Sequence, residues 1–181
     1  MIIGLTGKNA SGKGEAAEYL KKKGFEHHSL SDALREEAAA KGIEPTRDNL
    51  INLGNQLRKE FGAEYLAKKI NKKIQASHLE DFVVDSIRNP HEIEELRKNR
   101  DFVLLAIDAP AELRFERLLK RGRLGDAATL EEFKKQEERE NLKNDSNQQM
   151  DKCISMADKS IINDGALEQF HRKINELIKS I

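Results

Sequence analysis

The 181-residue chain is electrically balanced, with 32 lysines and arginines against 32 aspartates and glutamates. Its length suits one domain with a substantial core, and its charge balance excludes a polybasic surface for nucleic acid. The single cysteine, Cys153, excludes an internal disulfide framework and a cysteine-based zinc site. No apolar run approaches the roughly 18 residues of a membrane span, and the chain opens without a signal-peptide pattern. We therefore expect a cytoplasmic protein with neither a membrane nor a nucleic-acid partner.

A glycine-rich loop follows the first apolar run. Residues 2–6 predict a buried strand, residues 7–14 (Gly-Lys-Asn-Ala-Ser-Gly-Lys-Gly) form the loop, and a helix begins near Lys13. Glycines let the backbone approach an anion closely, and a helix N-terminus adds partial positive charge. This phosphate loop is predicted to hold a nucleoside triphosphate, with Lys13 reaching the terminal phosphates. The predicted nucleotide-binding residues here are Gly7, Asn9, Ala10, Ser11, Gly12, Lys13, Gly14 and Glu15.

Gly14 is a departure from the usual motif. Most such loops carry at this position the serine or threonine that ligates magnesium. The departure argues against a generic ATPase or GTPase, and it leaves open how magnesium would first contact the protein.

The next segment predicts a strand and a helix. The first helix ends near Gly24, and residues 25–30 are consistent with a short second strand. Ser31 or Asp32 is predicted to cap the following helix, which places Arg35 about one turn in. Asp32 and Arg35 would then face the same ligand.

Apolar residues recur at spacings of three and four from Thr46 onward, which predicts two helices separated near Gly62. Asn55, Gln56 and Arg58 lie among these positions. They either touch a substrate base or form a solvated helix face.

Residues 82–84 predict a third strand that leads into Asp85. The carboxyl end of a strand is where open α/β sheets place their chemistry, and an aspartate there can hold magnesium or its waters. Arg88 follows within reach of a second phosphate. Asn89 and Glu92, with a proline between them, predict the capped start of a helix.

A basic helix follows the longest apolar run, residues 102–107, which predicts a strand buried on both faces. Its positive residues are Arg114, Arg117, Lys120 and Arg121, and Arg123 follows in the next loop. Glycines flank Arg123, which predicts a short lid over residues 121–128 that closes over phosphates. The alternative is a solvated charged face. Thr129 and Glu132 then predict a capped helix.

The last elements complete an α/β pattern. Residues 144–149 predict a polar surface loop, residues 160–162 a final strand, and Asn163-Asp164-Gly165 a turn into the last helix. That helix carries an apolar stripe of Leu167, Phe170, Ile174, Leu177, Ile178 and Ile181. Alternating strands and helices predict a three-layer α/β/α domain with five strands in a mostly parallel sheet.

Together these motifs resemble the nucleoside and nucleotide monophosphate kinases, in order and over nearly the whole chain. The resemblance implies a single P-loop kinase domain over residues 1–181, with acceptor-binding helices at 32–78 and ATP and Mg²⁺ as cofactors. It implies catalytic roles for Lys13, Asp85, Arg88 and Arg121, with Asp85 also organising the metal. Adenylate kinases share the Gly-Lys-Gly sequence but follow it with a threonine, where this chain has Glu15.

The same resemblance assigns the remaining binding residues. Arg35 and Arg88 would hold the phosphate of the acceptor, with Asp32 beside them. Arg117 and Arg121 resemble a pair that stacks on adenine and stabilises the transferring group, and Arg123 would belong to a shortened lid.

Two acceptors compete. Residues 157–165 resemble the end of dephospho-coenzyme A kinases, where the loop with Asn163 and Gly165 would line the adenine site, whereas residues 85–90 resemble deoxynucleoside monophosphate kinases. A hydroxyl acceptor needs a base such as Asp32, but an ionised phosphate needs only positive clamps, which favours a nucleotide. A nucleotide-binding protein without catalysis is the third possibility. We expect a monomer or small homo-oligomer.

Overall fold

The computed structural model describes residues 1–122, 127–140 and 148–181. The strands are β1 (Ile2–Thr6), β2 (Glu26–Ser29), β3 (Phe82–Asp85), β4 (Phe102–Asp108) and β5 (Lys159–Ile162). The helices are α1 (Lys13–Lys22), α2 (Leu30–Ala40), α3 (Arg47–Phe61), α4 (Tyr65–Ala76), α5 (Pro90–Leu96), α6 (Ala111–Arg121), α7 (Leu130–Glu140), α8 (Met150–Ser155) and α9 (Leu167–Lys179).

The five strands form one sheet in the order β2-β3-β1-β4-β5, and every pair is parallel. Successive side chains of a strand point to opposite faces, so each central strand supplies two cores. Ile2 and Leu104 pack on one face against α2 to α5, while Ile3 and Leu105 pack on the other against α1 and α9. The predicted three-layer α/β/α fold is confirmed.

Local signals placed most helix ends correctly. Asn89 and Glu92 form the predicted capping box of α5, and the Thr129 hydroxyl and Glu132 carboxylate cap α7 reciprocally. The predicted start of α2 is wrong, because Ser29 at the end of β2 caps the helix by accepting from the Asp32 N–H at 3.3 Å.

Two further corrections concern the C-terminal part. The short helix α8 was not predicted, because its N-cap, Gln149, makes no side-chain capping bond that the sequence would signal. The apolar stripe of α9 is wrong at its ends, since Leu167 is 49% and Ile181 45% exposed. The central residues 123–126 of the predicted lid and residues 144–147 of the predicted polar loop lie outside the described residues.

In the described part of the chain, no helix combines the length and apolar character that crossing a membrane requires.

Candidate active site

The phosphate loop connects β1 to α1 and takes a shape that requires its first two glycines. Gly7 has φ +143°, and a Cβ there would lie 2.0 Å from the Ile107 carbonyl oxygen. Gly12, the N-cap of α1, has φ +113°, and a Cβ there would lie 2.2 Å from Nδ2 of Asn163. The loop is therefore packed against the ends of β4 and β5, with the N-terminus of α1 directed at it.

Lys13 folds back onto the loop. Its Nζ donates to the carbonyl oxygens of Gly7 at 2.7 Å and Lys8 at 2.9 Å. Desolvation lowers the pKa of Lys13 to about 8, with Asp85 opposing the shift and the arginines of the site adding to it. The ammonium of Lys13 therefore lies near several arginines, and together these positive charges suit a polyanion.

Asp85 is the last residue of β3, and Arg88 lies three residues beyond it. Asp85 Oδ1 accepts from the Ser86 N–H at 2.5 Å, and Ser86 has φ +66°, an uncommon backbone conformation outside glycine. Arg88 follows, and its N–H donates to Glu92 Oε2 at 2.8 Å. This tight turn fixes the direction of the chain just beyond the sheet.

The arginines of α6 face the phosphate loop. Arg117 Nη2 donates to the Asn163 carbonyl at 3.0 Å, and Arg121 Nη1 to Asn9 Oδ1 at 3.4 Å. Arg114, 3% exposed, donates to the Asn9 carbonyl at 3.2 Å. The alternative of a solvated charged face is therefore wrong for Arg114, whereas Arg117 is half-buried and Arg121 is exposed. Arg123 lies outside the described residues.

A cavity of about 270 Å³ joins the phosphate loop to α2, α3 and the end of β3. Its charged side chains are Lys13, Arg35, Arg47, Arg58, Arg88 and Arg121. Of the described residues that line it, none is an aspartate or a glutamate. The cavity can therefore hold two negatively charged groups, one at the loop and one beside α2 and α3.

The two residues of α2 that were predicted to bind the acceptor differ in their position relative to the cavity. Arg35 lines the cavity, and its Nη1 donates to Asp32 Oδ1 at 2.8 Å. The Asp32 side chain is 63% exposed and is absent from the described lining. The geometry thus directs the guanidinium to the cavity and uses Asp32 as its partner.

Some residues predicted to bind the nucleotide have other neighbours. Glu15 pairs with Nε2 of His171 on α9 at 2.8 Å. Asn163 donates from Nδ2 to the Ser11 carbonyl at 2.9 Å and so supports the loop from behind. Gly165 lies in the turn before α9, where the nearest group to an added Cβ is the flexible Gln169 side chain.

Sequence reasoning missed several lining residues. Arg47 carried a usable signal, because a positive residue in the first turn of a helix opposes the helix dipole and needs another reason to be there. Gln148 and Met150, which also line the cavity, carried none, since they follow a polar stretch without periodicity.

The side chains available at the site limit how a magnesium ion would be held. No group of three or more histidine, cysteine, aspartate or glutamate side chains in the described ranges is placed to bind a metal ion. Gly14 offers no side-chain oxygen, although a Cβ there would meet nothing within 4 Å. Magnesium bound with nucleotides commonly uses one or two carboxylates, phosphate oxygens and waters. Asp85, at the end of β3, is the predicted carboxylate for that role, although it is not among the described lining residues of the cavity.

Comparisons with known proteins agree with this geometry. A family model described as an AAA domain matches residues 6–134. A UPF0200 protein of Pyrococcus abyssi is 38% identical over 100% of this chain and 97% of its own length. A UPF0200 protein of Sulfurisphaera tokodaii is 37% identical over 99% and 97%.

Solved structures show the same fold at low identity. TT1252 from Thermus thermophilus superposes with a TM-score of 0.64 at 20% identity, over 100% of this chain and 97% of that one. Shikimate kinase from Acinetobacter baumannii, in complex with shikimate, gives 0.59 at 16% identity over 99% and 93%. With its AAA domain and P-loop kinase-like fold, the chain belongs to the UPF0200 family.

Proposed function

We propose that the protein is an ATP-dependent phosphotransferase that moves the γ-phosphate of ATP to a nucleoside or deoxynucleoside monophosphate. The observation that carries the proposal is the composition of the cavity. Lys13 of the phosphate loop and three arginines, Arg35, Arg47 and Arg88, line one space, without a carboxylate among its described lining residues. Such a space suits a donor phosphate and an acceptor phosphate together.

The residues have distinct roles in this proposal. ATP would supply the transferring group, and Asp85 would hold Mg²⁺ directly or through waters, which would neutralise part of the phosphate charge. Lys13 leaves the loop carbonyls and follows the phosphate charge, while Arg88 and Arg121 stabilise the group in transit. Arg117 lies beside the Asn163 loop, where we place the adenine.

The acceptor side is assigned to the helices within residues 32–78. Arg35 and Arg47 are the proposed phosphate clamps, because both line the cavity and a guanidinium binds phosphate through two parallel N–H bonds. An acceptor phosphate is already ionised at neutral pH, so its transfer needs no base. The lid over residues 121–128 stays a prediction.

A hydroxyl acceptor, as in dephospho-coenzyme A, is the main alternative. It requires a base, and Asp32 is the candidate because its carboxylate lies 2.8 Å from Nη1 of the cavity residue Arg35. A nucleotide-binding protein without catalysis is a further alternative, supported by the missing hydroxyl at Gly14.

An acceptor panel tests the proposal. ADP formation is measured with ATP and Mg²⁺ against ribonucleoside and deoxynucleoside monophosphates and dephospho-coenzyme A. We expect turnover with at least one monophosphate. Turnover only with dephospho-coenzyme A supports the hydroxyl alternative, and ATP binding without any turnover supports the non-catalytic one.

Two variants of α2 then separate the acceptors. With a phosphate acceptor, Arg35→Ala raises the acceptor KM at least about tenfold with little change in the KM for ATP, and Asp32→Asn keeps most of kcat. With a hydroxyl acceptor the order reverses, and Asp32→Asn is nearly inactive at saturation. Steady-state kinetics of both variants decide between them.

A further inference from the structure

Arg58 is buried yet lines the cavity. It lies on α3 and is only 7% exposed, so its guanidinium needs partners within the protein. Nε and Nη2 donate to Glu92 Oε1 at 3.4 and 3.2 Å, and Nη1 donates to Asn55 Oδ1 at 3.4 Å. The side chain is therefore held in one place.

Glu92 holds the backbone after β3 in place as well as the side chain of Arg58. This carboxylate is 1% exposed, and its second oxygen accepts from the backbone N–H of Arg88 at 2.8 Å and of Asn89 at 3.0 Å. One buried group thus positions a guanidinium from α3 and the turn after β3 on the same cavity. Arg58 is pre-organised, and a ligand would not have to order it.

The described contacts of Arg58 use three of its five N–H donors, and the residue lines the cavity. Glu92 takes the edge formed by Nε and Nη2, and Asn55 takes one N–H of Nη1. Of the five N–H donors, the described contacts leave one on Nη1 and one on Nη2, the two nitrogens at the end of the group. Gly54 leaves room for the end of this group, since a Cβ there would lie 3.3 Å from Nη1.

The surroundings favour a neutral partner at the end of this group. Glu92 already balances the charge of Arg58, so a second anion would meet the buried carboxylate as well as the guanidinium. The nearby cavity wall includes the apolar side chains of Leu34, Leu50 and Ile51. A flat, neutral ring with polar atoms on one edge satisfies both conditions.

We infer that Arg58 reads the base of the acceptor nucleotide through two adjacent hydrogen-bond acceptor atoms. The inference rests on the proposed function and deepens it. Guanine presents O6 beside N7, and cytosine presents O2 beside N3. Adenine places an amino donor next to its ring acceptors, and uracil separates its two carbonyls with an N–H, so both mismatch the two donors. The favoured acceptors are therefore guanine and cytosine nucleotides.

Binding of four monophosphates tests this directly. GMP, CMP, AMP and UMP are titrated by calorimetry into protein whose phosphate loop is filled with a non-hydrolysable ATP analogue. Because a good bidentate pair discriminates strongly, we expect GMP and CMP to bind about tenfold or more tightly than AMP and UMP. Equal affinities, a preference for AMP or UMP, or no binding of any of the four would overturn the inference.

A double variant tests the residue. Arg58→Met alone leaves Glu92 buried and unpaired, whereas Arg58→Met with Glu92→Gln removes both charges and keeps a side chain that completes the capping box. We expect its preference for GMP and CMP to fall below about threefold, with AMP affinity nearly unchanged. Retention of the full preference would overturn the inference.

Arg97→Met is the matched control. It removes an arginine whose Nη2 donates to Asp158 at 2.9 Å, away from the described cavity lining, and we expect the base preference to be unchanged. Calorimetry and the assay for ADP formation together separate the role of Arg58 in base recognition from the proposed phosphotransfer. Discriminated binding without ADP formation contradicts the proposed phosphotransfer only, and ADP formation without base preference contradicts the role of Arg58 only.

Discussion

Lys13 is the residue on which the proposed chemistry depends most. In the described state its ammonium donates to Gly7 and Lys8, so binding of phosphate would exchange two carbonyl contacts for anionic ones. We expect Lys13→Ala to lower kcat about a hundredfold or more, because the lysine serves charge that moves during transfer. The melting temperature stays within a few degrees of the parent value, since the side chain lies outside the hydrophobic cores.

Steady-state kinetics with ATP and the acceptor from the panel measure this loss. Lys8→Ala is the matched control, because Lys8 lies in the same loop but pairs with the exposed Asp151 at 3.4 Å. If Lys13→Ala binds ATP weakly yet reaches the parent kcat at saturation, Lys13 is a binding residue only.

The depressed pKa of Lys13 predicts proton uptake on nucleotide binding. With a pKa of about 8, most Lys13 side chains are neutral at pH 9 in the free protein. A triphosphate, fully ionised at that pH, favours the ammonium and raises the pKa, so binding takes up a proton and weakens as the pH rises. Calorimetry at pH 9 in buffers of different ionisation enthalpy measures the uptake.

Lys13→Arg provides the comparison for proton uptake. An arginine stays charged throughout this range, so uptake at pH 9 should vanish while binding persists. Equal uptake by the parent and Lys13→Arg would assign the proton to another group.

At the residue scale, the sequence predicted the groups that belong to local motifs. Lys13 starts α1 at the glycine loop and Asp85 ends β3, as the sequence predicted, while their catalytic roles stay predictions. Arg58 could not be assigned, because helical spacing fits a solvated face and a buried ligand-facing side chain equally well. Its role depends on Glu92, which is distant in sequence and was predicted only as a helix cap.

At the scale of elements, Arg114 ties α6 and α7 to the phosphate loop. Its Nε donates to the Ala109 carbonyl at 2.9 Å and its Nη1 to the Asn9 carbonyl at 3.2 Å, while its Nη groups hold both carboxylate oxygens of Glu137 on α7. Its guanidinium also lies 5.2 Å from the Phe133 ring centroid. This buried fork gives the loop a fixed position relative to both helices.

We expect Arg114→Met to raise the KM for ATP about tenfold and to lower the melting temperature by several degrees, since it leaves Glu137 unpaired. Adding Glu137→Gln removes that charge and should restore much of the melting temperature but not the KM. Thermal denaturation and ATP kinetics on both variants measure the two effects. Recovery of both together would mean that Arg114 only stabilises the fold.

Element boundaries were predictable where one residue sets them. Gly24 ends α1 with φ +101°, and Asn89 caps α5. The prediction failed where an element depends on tertiary contacts. The six-residue helix α8 has no side-chain cap, and its Cys153 is buried in the core beneath α5, which no local pattern shows.

At the scale of the molecule, the parallel sheet gathers segments that are far apart in the chain. The carboxyl ends of β1, β3 and β4 lie side by side, so the phosphate loop, the Asp85 turn and the start of α6 meet at one edge. Alternating strands and helices were enough to predict this edge. The cavity itself was not predictable, because its size and its excess of arginines depend on how α2 and α3 pack over the sheet.

The support that Asn163 gives to the phosphate loop has a consequence for synthesis of the protein. The Asn163 amide donates to the carbonyl of Ser11, which lies 152 positions earlier in the chain, and it occupies the space that any side chain at residue 12 would need. Domains fold as units once their long-range contacts can form. The phosphate loop is translated well before residue 163, yet it acquires its rear wall only after residue 163 has emerged, so a nascent chain cannot hold the loop in this form until then.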